Sequence, residues 1–424
     1  PEPRSPFGLA AVTANPEVYP DQFPLEAVLE LARRIGVRWV RACPFPVKAE
    51  ISPEEERKAR ERIETFRKYG ISLHVQLGVP GLSPPEDWWE AVRASLQRFA
   101  FCSDYFELGN ELNPHDLPER QREAAVAYVN GLLRPFRRIV KDIKPTAKVM
   151  NHGLGGIQRA YLETFGEAGG FDLVDAISVH PGFYPRAPEW DEGGEFWALL
   201  PQLRTLLRSM RRFGRKEWWV SEVYAPTPPS KLGLDLRTSA DYLVRTYVIC
   251  LALGARVVEW YQFQDGVWHS RRPDPKNVEY NFGLVYTDLT PKPAYVAYAT
   301  MTEQLEGLRC LGRCDLGADD LFCFAFGRER AELYVMWSYR ERHELDKSWG
   351  ALKGKSRRPS MPWEERWREP VEVRLRAKGP VEVCDIMGNK KLIRPERGWV
   401  RLSLTGSPIF VKGVLLPPPR PYRI

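Results

Sequence analysis

Residues 37–77 read VRWVRACPFPVKAEISPEEERKARERIETFRKYGISLHVQL. The run opens on one apolar-rich stretch, Val37–Arg41, and closes on another, Ile71–Leu77. Between them, Ser52-Pro53-Glu54-Glu55 combines an N-cap serine, a proline at the first helical position and a glutamate three residues past the cap. These signals open a helix that is predicted to run to Tyr69 and to stop at Gly70. The stretch is therefore strand, helix, strand, and a crossover of that length leaves the two strands parallel.

The same punctuation extends outward. Ile35-Gly36 ends a helix just before Val37, and Ser83-Pro84-Pro85 opens the next one. Strands are expected near Phe7–Val12, Val37–Arg41, Ile71–Leu77, Tyr105–Gly109, Ala147–Asn151, Ala176–Val179, Glu217–Ser221 and Val257–Gln262. Eight units at intervals of roughly 30 to 40 residues suit an α/β fold closed as a (β/α)8 TIM barrel. An open doubly wound sheet is the rival, but no Gly-rich phosphate loop follows the first strand. Past about Gly307 the pattern changes. Leu321–Ala325, Ala331–Trp337, Val371–Leu375, Trp399–Leu404 and Ile409–Val414 alternate like strands without a long helix between them. The expectation is a barrel over 1–306 and a C-terminal antiparallel β-sandwich over 307–424, with Lys347–Glu369 as a long exposed loop.

Composition narrows the function classes. The chain has 424 residues, 43% hydrophobic and 28% charged, and its net charge of +7 is interleaved along the length. Nucleic-acid binding would concentrate positive charge on one element, so it is not expected. No run of about 20 apolar residues appears, so no membrane span is expected. The seven cysteines are scattered, and Cys310-x3-Cys314 lacks a second pair at zinc spacing. Buried free thiols are the leading reading, with a link from Cys310 or Cys314 to Cys323 as the alternative. The chain starts Pro1-Glu2-Pro3-Arg4, without initiator Met or apolar leader. A mature or trimmed product is expected, which leaves export open, with a secreted or periplasmic location slightly favoured over the cytoplasm. The sequence does not speak to oligomeric state.

In a barrel the reactive groups lie where strands end, because the βα loops form the open rim. Strand 4 ends Glu107-Leu108-Gly109-Asn110-Glu111-Leu112-Asn113-Pro114, and strand 7 ends Trp219-Val220-Ser221-Glu222. Two carboxylates, one from each strand end, suit glycosidic bond cleavage. One protonates the leaving oxygen and the other attacks or stabilises the anomeric carbon. No cofactor is needed, and the six histidines show no metal-ligand spacing.

Gly109–Pro114 resembles the strand-4 acid/base motif of clan A glycoside hydrolases, and Trp219–Glu222 resembles their strand-7 nucleophile motif. The flavour is closest to families 39 and 5, over Phe7 to Met301. The resemblance implies a retaining β-glycosidase acting on a carbohydrate, with Glu111 as acid/base and Glu222 as nucleophile. It further implies Arg41 holding the nucleophile ionised, Asn110 on a sugar hydroxyl and Trp260 as a platform under the sugar. His180 fits the strand-6 histidine. The tyrosine usually two residues on is Gly182 here, with Tyr184 beyond it. His152 after strand 5 either lines the pocket or caps a helix. Trp268, in the loop after strand 8, and the tryptophans Trp88, Trp89, Trp190 and Trp197 are candidates for further sugar subsites. A catalytically degenerate carbohydrate-binding barrel and a transglycosylase using the same residues are the alternatives.

Overall fold

The computed structural model describes residues 5–12, 23–191, 197–228, 234–266, 277–341, 344–345, 352–353 and 363–424. Eight parallel strands form the first unit: β1 (Phe7–Leu9), β2 (Trp39–Arg41), β3 (Ser72–Leu77), β4 (Tyr105–Leu108), β5 (Lys148–Met150), β6 (Ala176–His180), β7 (Glu217–Val223) and β8 (Val257–Trp260). Neighbours in sequence pair in order, β8 returns to β1, and β5 joins β6 through Met150 opposite Ala176, so the sheet is closed. The helix predicted after Ser52 spans Pro53–Lys68 with a complete capping box. Each of the eight expected strands is present, most of them shorter than their apolar runs.

Side chains alternate across a strand, and this parity builds the barrel interior in layers. Trp39, Tyr105, Met150, Ala176, Trp219 and Val257 form an apolar lower layer. Two residues further along the strands, Arg41, Glu107, Ser178, Ser221 and Glu259 point the same way, and His74 of β3 lies among them; all six are buried. The strand β1 contributes Gly8 to this crowded interior. A Cβ there would stand 2.8 Å from Glu259 Cγ and 3.0 Å from Trp39 Cβ.

The C-terminal part is antiparallel: β9 (Arg309–Arg313), β10 (Leu321–Gly327), β11 (Leu333–Ser338), β12 (Val371–Asp385), β13 (Lys390–Ile393), β14 (Trp399–Leu404) and β15 (Ile409–Leu415). Their order is β9-β10-β11-β15-β12-β13, with β14 also on β12. The long strand β12 breaks register against β15 between Ala377 and Glu382. Pairing β14 through its first half and β13 through its second, it belongs to both layers of the sandwich. Val373, Leu375, Val381, Val383, Val400, Leu402 and Val411 fill the core of this sandwich. Most of the loop expected over Lys347–Glu369 lies outside the described residues, but Leu352–Lys353 forms a short ladder with Glu344–Leu345.

The sandwich is anchored on the barrel helix Leu236–Ala252, whose residues are nearly all buried. The Arg245 guanidinium pairs with Glu189, from the loop after β6, and both are buried. Trp337 Nε1 of β11 donates to the same carboxylate at 2.8 Å. Nearby, Asp241 accepts from Trp367 Nε1 and Ser407 Oγ, both at 2.7 Å. All seven cysteines are free thiols, four of them buried. Among the described residues, no helix is long and apolar enough to cross a membrane.

Candidate active site

Glu111 follows β4 in a tight reversal, with Gly109 at φ 89° and Glu111 itself at φ 48°. A non-glycine residue in the left-handed region must be held there. Its N–H donates to the carbonyls of His152 (2.8 Å) and Gly153 (3.1 Å). Asn113 clamps the same loop, donating to Gly155 O at 2.8 Å and accepting from Gly155 N at 3.0 Å. Gly155 lies in the two-residue strand Leu154–Gly155, and a Cβ on it would meet Glu111 Cδ at 2.8 Å.

Glu222 reaches the mouth by another route. Ser221 points into the barrel, so strict alternation would turn Glu222 outward toward the helices. A register shift against β8 between Val220 and Val223 breaks that alternation, which is how a bulge re-aims a side chain. One oxygen of Glu111, one of Glu222 and a ring nitrogen of His180 all lie within 4.8 Å of one another. His180 Nδ1 is 2.7 Å from Glu111 Oε1 and 3.9 Å from Glu222 Oε2. The two glutamates, 111 residues apart in the chain, therefore converge on one space with His180 between them.

Arg41 lies 3.7 Å from Glu222 Oε2, but its hydrogen bonds go elsewhere. It donates to Glu107 and, at 2.6 Å, to Asn110 Oδ1. So it faces the expected partner as a charge, not as the hydrogen-bonded clamp the resemblance implied. Glu107 also accepts from Ser178 Oγ and pairs with His74 Nε2 at 3.2 Å, and His74 Nδ1 lies 2.9 Å from Glu259. Burial pulls the His74 pKa down, but the two flanking carboxylates outweigh it and raise it to about 9. Burial works against an ionised Glu107 as well, yet Arg41 and His74 hold it well below the usual carboxylate range. The floor of the site is thus a buried network linking Arg41, Glu107, His74 and Glu259. Sequence reading missed Glu107, His74 and Glu259, although charged residues inside apolar strands are the signal for such a network.

The site carboxylates differ. Burial raises both. At Glu111 the His180 hydrogen bond and charge, helped by Arg41, win, and the net direction is down. At Glu222 burial and the nearby Glu111 charge outweigh His180, and the carboxyl is held above its usual range. The two environments therefore push the pair's affinities for a proton apart, Glu222 upward and Glu111 downward.

Other expected residues separate. Asn110 is exposed at the mouth, beside Glu111. Trp260 is 1% exposed and stacks on Tyr247 of the surrounding helix, so it is no sugar platform. The reason is parity: Glu259 points inward, so Trp260 points out. The next residue, Tyr261, instead meets Tyr224 and Phe282. His152 does not line the pocket. It is fully buried, with one nitrogen accepting from Leu112 N and the other 2.6 Å from Tyr161 Oη. Burial drops its pKa to about 4, so it supports the Glu111 loop as a neutral ring. Tyr184 is packed in the core at 9% exposure and, among the described residues, has no hydrogen bond to Glu222. The space beside Gly182 is taken by Tyr224, whose hydroxyl would stand 3.6 Å from a Cβ there, and by Trp197 at 3.5 Å. Trp88 and Trp89 pack on each other edge to face, and Trp190 lies under the Arg186 guanidinium. Trp268 lies outside the described residues.

Glu111, His180 and Glu222 also have the donor types of a divalent-metal site. The permanent charge of Arg41 beside Glu222 opposes a second cation there.

No family model matches the chain, and no curated protein matches it in sequence. By shape, the fold is a TIM barrel with a C-terminal β-domain, and solved structures of several glycoside hydrolases share it. A family 39 glycoside hydrolase from Bacteroides cellulosilyticus superposes with a TM-score of 0.71 at 20% identity, over 96% of this chain and 80% of that one. A family 30 endoxylanase from Clostridium papyrosolvens gives 0.60 at 10% identity, over 98% and 97%. A glucosidase from Croceicoccus marinus gives 0.58 at 14% identity, over 98% and 96%.

Proposed function

We propose that this chain is a retaining glycoside hydrolase that cleaves β-linked glycans or oligosaccharides by double displacement. The observation that carries the reading is the approach of Glu111 and Glu222, whose nearest oxygens fall within 4.8 Å. A retaining pair stands about 5–5.5 Å apart, whereas an inverting pair needs about 6.5–9.5 Å to admit water. The fold shared with an endoxylanase and a glucosidase agrees with a sugar substrate.

In this reading Glu222 attacks the anomeric carbon and Glu111 protonates the departing oxygen, then deprotonates the water that frees the sugar. His180, in contact with Glu111 and 3.9 Å from Glu222, favours the ionised form of both carboxyls. Asn110 gives its oxygen to Arg41, which leaves its amide N–H free for a sugar hydroxyl. Tyr261 and Tyr224 replace Trp260 as the aromatic wall for the sugar ring.

The test is turnover of aryl β-glycosides with the first product followed by NMR. Glu222→Ala should reduce turnover at least about 10⁴-fold. Glu111→Ala should keep a fast first step on substrates with good leaving groups and stall in the second. A first product of inverted configuration, or equal residual activity in both variants, overturns the reading.

A further inference from the structure

The outer face of the sandwich layer formed by β14, β12 and the end of β15 carries an unusual concentration of arginine. Register places Arg401 directly opposite Arg374 and Trp399 opposite Arg376, and Arg376 in turn faces Leu415. Arg374, Arg376 and Arg401 are exposed, as are Lys378 further along β12 and Arg397 in the turn before Trp399. These five cations stand against two carboxylates on the same face, Glu372 and Glu396. Among the described residues, none of the five forms an ion pair or a side-chain hydrogen bond. On the helix Pro53–Lys68, by contrast, Arg57 bonds Glu54 and Glu61, and Arg60 bonds Glu56.

Like charges directly opposite on neighbouring strands oppose folding, so this arrangement works against stability unless an anion joins it. The indole of Trp399 organises the group. The Arg374 guanidinium lies 4.6 Å from its ring centroid and that of Arg376 lies 5.0 Å away. Stacking on one rigid ring restricts two flexible side chains, so less freedom is lost when their donors meet a ligand. At the hairpin tip, Arg397 takes φ 50°, a position that Asn or Gly fills most readily.

We propose that this face is a second binding site, for an anionic polysaccharide whose carboxylate or sulfate groups are gripped by Arg374, Arg376 and Arg401. Planar guanidinium forks match such groups with two parallel hydrogen bonds. Single-stranded nucleic acid is the other polyanion to consider, but it needs free aromatic faces for base stacking. Trp399 is already covered by arginines. The choice of a glycan over other polyanions rests on the glycosidase reading, whereas anion binding itself does not.

The experiment is native affinity electrophoresis of the full chain in gels containing polygalacturonate, heparin, dextran or a single-stranded DNA 20-mer. Polygalacturonate and heparin separate carboxylate from sulfate recognition. Retardation by at least one of them, absent in dextran and weakening with added salt, is expected. The triple variant Arg374→Gln/Arg376→Gln/Arg401→Gln should bind at least about tenfold more weakly. The control Arg57→Gln/Arg60→Gln should bind as the parent does. Both variants should retain the parent's far- and near-UV circular dichroism and its turnover of aryl glycosides. Loss of retardation equal in the triple variant and the control, no retardation by either polyanionic glycan, or tighter binding to DNA would overturn the proposal. Binding without any glycoside turnover would leave it standing and remove the glycosidase reading instead.

Discussion

His180 is the residue on which the balance of the site turns. Its contact with Glu111 and its nearness to Glu222 lower both carboxyls. Replacing it by Asn removes that influence from each, so both apparent constants of the pair move up. The whole bell of kcat/KM against pH on an aryl glycoside should therefore shift to more alkaline pH, because that profile reports the free enzyme. A purely structural role for His180 would lower the bell without moving its limbs, and a rate profile across pH 4–9 separates the two.

At the scale of elements, what could be read from sequence was what strand ends and helix caps determine. The capping box at Ser52 and the carboxylates at the ends of β4 and β7 follow from local pattern, and both glutamates come together as expected. What could not be read was side-chain direction past a strand end. Trp260 and Tyr261 differ by one residue, and only the inward aim of Glu259 decides which of them faces the cavity. The bulge in β7 was hidden for the same reason, since Glu222 faces the mouth by breaking the alternation that its neighbours keep. Long-range support was also invisible. Nothing in Leu154-Gly155 announces a ledge under Glu111, yet a Cβ on Gly155 would crowd the Glu111 side chain at 2.8 Å. Gly155→Ala should push the carboxyl out of line and lower kcat by roughly 10²-fold, in keeping with a displacement of about 1 Å. Thermal unfolding should change little, because the crowding falls on one mobile side chain. An unchanged kcat would mean that Glu111 needs no such seat.

The molecule as a whole is tied together by buried polar groups between its two units. Asp241, on the barrel helix under the sandwich, has its carboxyl raised to about 7, chiefly by burial, against Arg237, Trp367 and Ser407. An unfolded aspartate titrates near 3.9, so the fold prefers the protonated form. The stability this contributes is fully present below about pH 4 and is lost as pH rises through about 7. Asn cannot ionise and can still bond Trp367 and Ser407. The melting temperature of Asp241→Asn relative to the parent should therefore climb between pH 4 and 7, by several degrees, in scanning calorimetry. A constant difference would contradict the assignment. The joint made by Arg245, Glu189 and Trp337 has a consequence for engineering. Glu189 comes from the same rim loop that begins at His180, and an indole from the far unit completes its coordination. Transplanting the barrel alone into another host would strip a solvent-shielded cation and its counter-ion of their roof. The loosening would reach the loop that starts at His180, so the appended sheet acts as a brace of the candidate site and is not a detachable passenger.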